Sequence, residues 1–316
     1  MDNVDGKQAR RTGASSPLGE LFDHGVDALN CPLGGLIQAS AMGLGHSGAT
    51  LFCVLVGCWA MYSSTWEEYH TGTLFLGYFS GPVEGLLIAM GILTTAAFAT
   101  PAFWHSPLPD TLASLCSPVL GDSARLIDAI LVAIGASFVL AHLPWCLVNV
   151  YNAPERRGTY GRALGQLLPM LALTVATLAW ALSPNSSLLR GGHTLELVIL
   201  LTATYAQMST KVMLAQLVKG PFPYSFALTR PIFLGALGVA TPYFGLPLAL
   251  TPGREVAFLH FATFLACNSY AWSTARIIDA FCTFLHINAL TLTKEQKAVA
   301  HAKATGREYT QLAHVD

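Results

Sequence analysis

The chain has 316 residues, of which 53% are hydrophobic and 11% charged, against roughly 25% charged in soluble domains. Too little polar surface remains to dissolve a water-soluble core of this size. The formal net charge of −1 excludes the basic surface that a nucleic-acid partner requires.

Apolar stretches recur from about residue 33 to residue 285, each long enough to cross about 30 Å of hydrocarbon. The expected fold is therefore all-α, a polytopic transmembrane helical bundle. Residues 1–16 are polar and basic, with Lys7, Arg10 and Arg11. Ser16 can then cap a helix, and Pro17 suits its first position. That helix is expected to run through Leu21, Phe22 and Ala28 into the apolar run 33–44, polar in its first turns and membrane-like afterwards. Further spans are expected near 48–62, 83–99, 124–150, 164–182, 195–217, 232–250 and 256–285, which makes about eight. Pro144, Pro169 and Pro242 should kink spans or mark their ends. A membrane-embedded domain over 1–290 would be followed by a polar tail over 291–316.

No signal-peptide pattern opens the chain, so insertion falls to the spans themselves. The seven cysteines, Cys31, Cys53, Cys58, Cys116, Cys146, Cys267 and Cys282, form no C-x-x-C pair and mostly sit in apolar runs. They read as buried thiols, supporting neither a disulfide framework nor a zinc site.

Loop charge sets the orientation. If residues 5–27 face the cytosol, so do 63–82, 152–162, 219–230 and the tail. Arg156, Arg157, Arg162, Lys219, Arg230, Lys294, Lys297, Lys303 and Arg307 then lie inside, against mainly Arg125, Arg190 and Arg254 outside.

The chemistry concentrates in residues 2–27: Asp2-x-x-Asp5-Gly6-x-x-Ala9-Arg10, then Gly19, Asp23 and Asp27. Gly19, Asp23 and Asp27 are spaced four apart, which places them on one stripe of a helix. Asp2 and Asp5 can share a face in the same way. Four carboxylates could then converge from two segments joined by a basic turn. Such a cluster at a membrane edge needs cations to neutralise it, and an all-oxygen ligand set selects Mg²⁺ or Mn²⁺. Two such ions about 3.5–4 Å apart hold and activate a phosphoryl centre. Gly19 leaves room for a bulky ligand, Arg10 offers a planar fork for phosphate oxygens, and Lys7 adds a second positive charge.

At these residues the chain resembles the CDP-alcohol phosphotransferase family, matching its D-x-x-D-G-x-x-A-R-x8-G-x-x-x-D-x-x-x-D pattern at every fixed position. The stretches Asp5–Thr12, 16–25 (S-P-L-G-E-L-F-D-H-G), 65–71 (T-W-E-E-Y-H-T) and 81–85 (G-P-V-E-G) are similar to its eukaryotic choline/ethanolamine phosphotransferase branch. The resemblance implies transfer of phosphocholine or phosphoethanolamine from CDP-choline or CDP-ethanolamine to diacylglycerol. CMP would leave, and phosphatidylcholine or phosphatidylethanolamine would form. It further implies that Asp2, Asp5, Asp23 and Asp27 hold two Mg²⁺ ions, and that Gly6, Arg10, Gly19 and Glu20 line the CDP pocket. A membrane of the endoplasmic reticulum or Golgi, a cytosolic active site and pairing as a homodimer belong to the same implication. So do two further transmembrane helices ahead of the motif, the chain opening in what corresponds to the end of the second.

Two residues compete as the general base. Cations depress the pKa of a carboxylate they bind, whereas histidine titrates near neutrality. His24 is favoured on that ground, with Asp27 as the alternative. Trp66, Glu67, Glu68, Tyr69, His70 and Glu84, in or beside a loop, are candidates either for holding the head group or for anchoring at the interface. Two other readings of the whole chain are an inactive membrane fragment or scaffold pairing with a full-length relative, and a transporter using the acidic stripe as a cation site.

Overall fold

Capping residues, glycines and prolines start and stop helices among the described residues. The computed structural model describes residues 2–12, 15–73, 82–111, 113, 120–121, 123–153, 159–294 and 297–298. Arg156, Arg157, Lys303, Arg307 and Cys116 lie outside them. In chain order the helices are α1 (Asp2–Thr12), α2 (Pro17–Ala41), α3 (Gly48–Thr71), α4 (Pro82–Ala99), α5 (Leu126–Ser137) and α6 (Leu143–Asn152). Then follow α7 (Tyr160–Gly165), α8 (Leu168–Ala181), α9 (Thr194–Leu217), α10 (Arg230–Ala240) and α11 (Pro252–Leu285). No strand occurs among the described residues, so the all-α expectation holds.

Four of these stretches are long and apolar enough to cross a membrane: Gly48–Thr71, Leu126–Asn152, Tyr160–Ala181 and Thr194–Leu217. Leu87–Ala99 is a shorter apolar helix. Helices α2 and α11, with 25 and 34 residues, have spanning length but carry more polar residues.

Two expected boundaries move. Helix α3 continues past Tyr62 to Thr71, because nothing stops it before Gly72. There the backbone turns left-handed at φ +71, and the Gly72 N–H closes on the Glu68 carbonyl. The segment expected to span 232–250 breaks instead. Helix α10 ends at Ala240 and a 3-10 turn, Thr241–Phe244, takes over at Pro242, which cannot supply the next backbone donor. The other two prolines act as expected. The helical ladder widens to a π turn over Phe138–His142 just ahead of Pro144, and Pro169 sits in the first turn of α8.

The chain divides into two compact units, one of Met1–Asp27 with Asn268–Asp316 and one of Ala28–Cys267. In the larger unit α9 is central, and its buried residues include Leu197, Leu200, Leu201, Tyr205 and Met208. Helix α3 packs on α9 and α6, and α8 packs on α10. Hydrogen bonds between helices fix the register: Trp59 Nε1 donates to Thr174 Oγ1 at 2.8 Å, and Tyr62 Oη donates to the Gln166 carbonyl at 3.2 Å. The second half of α2 meets α3 backbone to backbone at Gly35, where an added Cβ would lie 2.9 Å from Val54 Cα and 3.0 Å from the Cys53 carbonyl oxygen. Small residues permit this close approach between membrane helices, where dispersion contacts replace the missing hydrophobic drive.

The outward faces are apolar. Leu87, Phe98, Leu140, Val175, Phe261 and Trp272 are all exposed, an arrangement that suits hydrocarbon as the surrounding solvent. The chain is an integral membrane protein. Six described cysteines are free thiols, so no disulfide staples these residues.

Candidate active site

The candidate residues occupy α1 and the first turns of α2. Asp2 and Asp5 stand three positions apart on the backbone of α1, and their side chains lie outside the described residues. Gly6 follows, half-buried, and Arg10 lies one turn beyond it. A Cβ at Gly6 would come 3.5 Å from the Arg10 guanidinium, so the side chain of Arg10 folds back along the helix over the space that glycine leaves. Lys7 and Arg10 are both exposed, and together they offer two cationic groups on one short helix.

Ser16 opens α2 as expected. Its hydroxyl accepts from the Gly19 N–H at 3.1 Å, and its carbonyl accepts from the Glu20 N–H at 3.2 Å. Leu18, Leu21, Gly25 and Ala28 then form a buried stripe. Gly19, Asp23 and Asp27 fall on the opposite side of the same helix, as their four-residue spacing dictates. Asp23 and Asp27 are half-buried, while Gly19 and Glu20 are exposed. Among the described residues, leaving aside the backbone of its own helix and its two chain neighbours, a Cβ built at Gly19 would meet within 4 Å just the Ser16 hydroxyl, at 3.6 Å, so the first turn of the stripe has room for a ligand. His24 is half-buried and lies about 100° around the helix from Asp23, between the acidic and the buried stripes.

This donor set fits a hard divalent cation. Its described half is two carboxylates one turn apart, with Cβ atoms about 5–6 Å apart by helix geometry. Both are half-buried, where an unneutralised pair would repel. Oxygen donors alone suit Mg²⁺ or Mn²⁺.

The head-group candidates need correction. Trp66, Glu67, Glu68, Tyr69 and His70 belong to α3 and not to a loop. Trp66 is wholly buried, its Nε1 donating to the Ala163 carbonyl and Gln166 Oε1, both at 3.1 Å. Glu67, Glu68 and His70 are buried too. Glu67 accepts from Asn149 Nδ2 at 2.7 Å, and His70 Nε2 lies 2.6 Å from Gln166 Oε1. Tyr69 Oη donates to the Gly220 carbonyl at 2.9 Å. These groups brace α3 against its neighbours, and the Trp66 ring has no open face for a quaternary ammonium. The Glu84 side chain lies outside the described residues.

The CDP-alcohol phosphatidyltransferase family model matches residues 1–121. Over 313 residues the chain is 30% identical to the uncharacterized CDP-alcohol phosphatidyltransferase class-I family protein 3 of Dictyostelium discoideum, covering 93% of this chain and 76% of that relative. The chain belongs to the CDP-alcohol phosphatidyltransferase family. It is also 33% identical over 224 residues to choline/ethanolaminephosphotransferase 1 of Arabidopsis thaliana, covering 70% of this chain and 56% of that relative. Identity to ethanolaminephosphotransferase 1 of Homo sapiens is 30% over 277 residues, covering 83% of this chain and 65% of that protein. The chain therefore spans less than two thirds of either named phosphotransferase.

Two polar sites of this CDP-alcohol phosphatidyltransferase family member went unseen in the sequence. Glu255 is fully buried and accepts from Trp180 Nε1, Ser186 Oγ, and the N–H and hydroxyl of Ser187 at 2.6–2.8 Å. His142 Nε2 approaches the Ala60 carbonyl at 3.0 Å and Ser63 Oγ at 3.1 Å. For His142 the available signal was a lone titratable residue in an apolar run, whereas Glu255 follows Arg254 at a helix start and reads there as an ordinary polar first turn.

Proposed function

We propose that this chain is a membrane-bound phosphotransferase that moves phosphocholine or phosphoethanolamine from its CDP ester to diacylglycerol. The observation that carries this reading is the acidic stripe of α2. Asp23 and Asp27 lie half-buried, about one and two turns beyond an open Gly19, inside a motif matched at every fixed position. The names of the Arabidopsis and human relatives support the same substrate class.

Asp2, Asp5, Asp23 and Asp27 would hold two Mg²⁺ ions, whose chemistry would be to offset the charge of the pyrophosphate and make its phosphorus more electrophilic. Arg10 and Lys7 bind phosphate oxygens of the CDP-alcohol. Gly6, Gly19 and Glu20 line the nucleotide pocket, the glycines by admitting it close to the backbone. An imidazole nitrogen of His24 takes the proton from the diacylglycerol hydroxyl as its oxygen attacks the phosphorus bearing the head group. The new P–O bond forms, the P–O bond to CMP breaks, and CMP departs. The Lys/Arg asymmetry of the loops supports a cytosolic site, and the family resemblance supports a membrane of the endoplasmic reticulum or Golgi.

Product analysis tests the assignment. The chain in detergent, supplied with Mg²⁺, diacylglycerol and either CDP-choline or CDP-ethanolamine, is expected to yield the matching phospholipid. Failure with both donors, with the protein folded, would refute the substrate class.

A further inference from the structure

A different set of ligating side chains lies in the larger unit, where the 183–193 connection meets α9 and α11. His193 immediately precedes α9, Glu196 stands in its first turn, and His260 reaches over from α11. One donor atom from each lies within 4.8 Å of the other two. His193 Nδ1 and Glu196 Oε1 are 3.1 Å apart. The His193 and His260 rings meet edge to face, with centroids 6.4 Å apart. His193 and Glu196 are half-buried, and His260 is exposed.

The surroundings hold this group in place. Glu255, five residues before His260 on α11, fastens the connection through Ser186 and Ser187. From there the backbone folds tightly: the Gly191 N–H donates to the Ser187 carbonyl at 2.6 Å, and the His193 N–H donates to the Leu188 carbonyl at 2.8 Å. A Cβ at Gly191 would lie 2.8 Å from the Ser187 carbonyl oxygen and 3.1 Å from His193 Cδ2. Glycine there lets the His193 ring sit beside Glu196. Rigid support of this kind is what orients metal-binding histidines.

We propose that His193, Glu196 and His260 form a three-ligand site for one borderline divalent cation of the zinc class, separate from the acidic motif on α2. Two imidazoles and one carboxylate suit such an ion, whereas an all-oxygen set selects Mg²⁺. Tetrahedral bonds of about 2.0–2.1 Å place neighbouring ligand atoms about 3.3–3.4 Å apart. The His193–Glu196 separation of 3.1 Å is already within a few tenths of that. His260, exposed on α11, closes the third corner by a side-chain rotation, and its open side leaves a fourth position for water. The positive end of α9 opposes a cation, and the Glu196 carboxylate in the same turn offsets it. The bound ion would tie the 183–193 connection to α11 a second time, alongside Glu255.

The test uses the full chain in detergent, stripped with chelator, held in saturating Mg²⁺ and titrated with Co²⁺. Wild type is expected to bind one Co²⁺ with visible d–d absorption, displaced by one equivalent of Zn²⁺. His260→Ala and Glu196→Gln should each weaken that binding by more than about 10-fold, the loss that even outer-shell changes produce. His260→Cys should restore it and add a thiolate-to-cobalt charge-transfer band. Metal-free unfolding temperatures matching wild type separate a lost ligand from a lost fold. Equal Co²⁺ binding by wild type and His260→Ala, or no d–d absorption from wild type, overturns the site, and so does loss of the absorption in Asp23→Asn.

Discussion

Asp23 and His24 are neighbours in sequence with different surroundings on α2. Asp23 shares its stripe with Gly19 and Asp27, and His24 sits between that stripe and the buried one. The proposed roles follow from this difference and are separable by mutation. His24→Ala is expected to lower turnover by about 10²–10⁴-fold, with KM for the CDP-alcohol little changed. Wild-type turnover in that variant would move the base to Asp27. Asp27→Asn keeps the shape and removes the charge, so it should cost at least about 100-fold in turnover, with unfolding temperature in metal-free detergent preserved. The candidate residues were legible because their spacing alone fixes a helical stripe. The placement of Arg10 over Gly6 was not, since it depends on a rotamer. Nor was the burial of Trp66, Glu67 and His70, because their hydrogen-bond partners Ala163, Asn149 and Gln166 lie 97, 82 and 96 positions away.

The helices report what sequence can and cannot say about boundaries. Ser16, Gly72 and Pro242 mark ends through local chemistry that acts wherever the residues stand. Hydropathy alone ended α3 at residue 62, nine positions early, since a helix in a membrane bundle can turn polar and stay helical when its side chains find partners inside. Gly35 illustrates what only packing reveals. Gly35→Leu must push α2 off the α3 backbone, which should destabilise by about 1–3 kcal/mol and lower the unfolding temperature in detergent. Glu255→Ala leaves the Trp180, Ser186 and Ser187 donors without their shared acceptor. Its expected cost is about 2–4 kcal/mol, again read from thermal unfolding, and limited proteolysis should cut the 183–193 connection faster.

At the scale of the molecule, composition and fold agree. A chain with 53% hydrophobic and 11% charged residues builds helices with exposed apolar side chains, while buried polar groups such as Glu67 and Glu255 brace the helices from inside. The fold class was legible because a bilayer admits few backbone solutions. The division into two units was not, because it reflects which distant segments pack together. The central claim joins the scales: carboxylates on the polar opening of α2 hold the cations that drive transfer from a CDP-alcohol to a lipid. The most direct measurement is CMP release from CDP-ethanolamine or CDP-choline in the presence of diacylglycerol, with Mg²⁺ titrated from zero, for wild type and Asp23→Asn. Wild type should release CMP only once Mg²⁺ is added, and Asp23→Asn should fall at least about 100-fold at every Mg²⁺ concentration. Undiminished release by Asp23→Asn, or release that persists in excess chelator, would contradict the account.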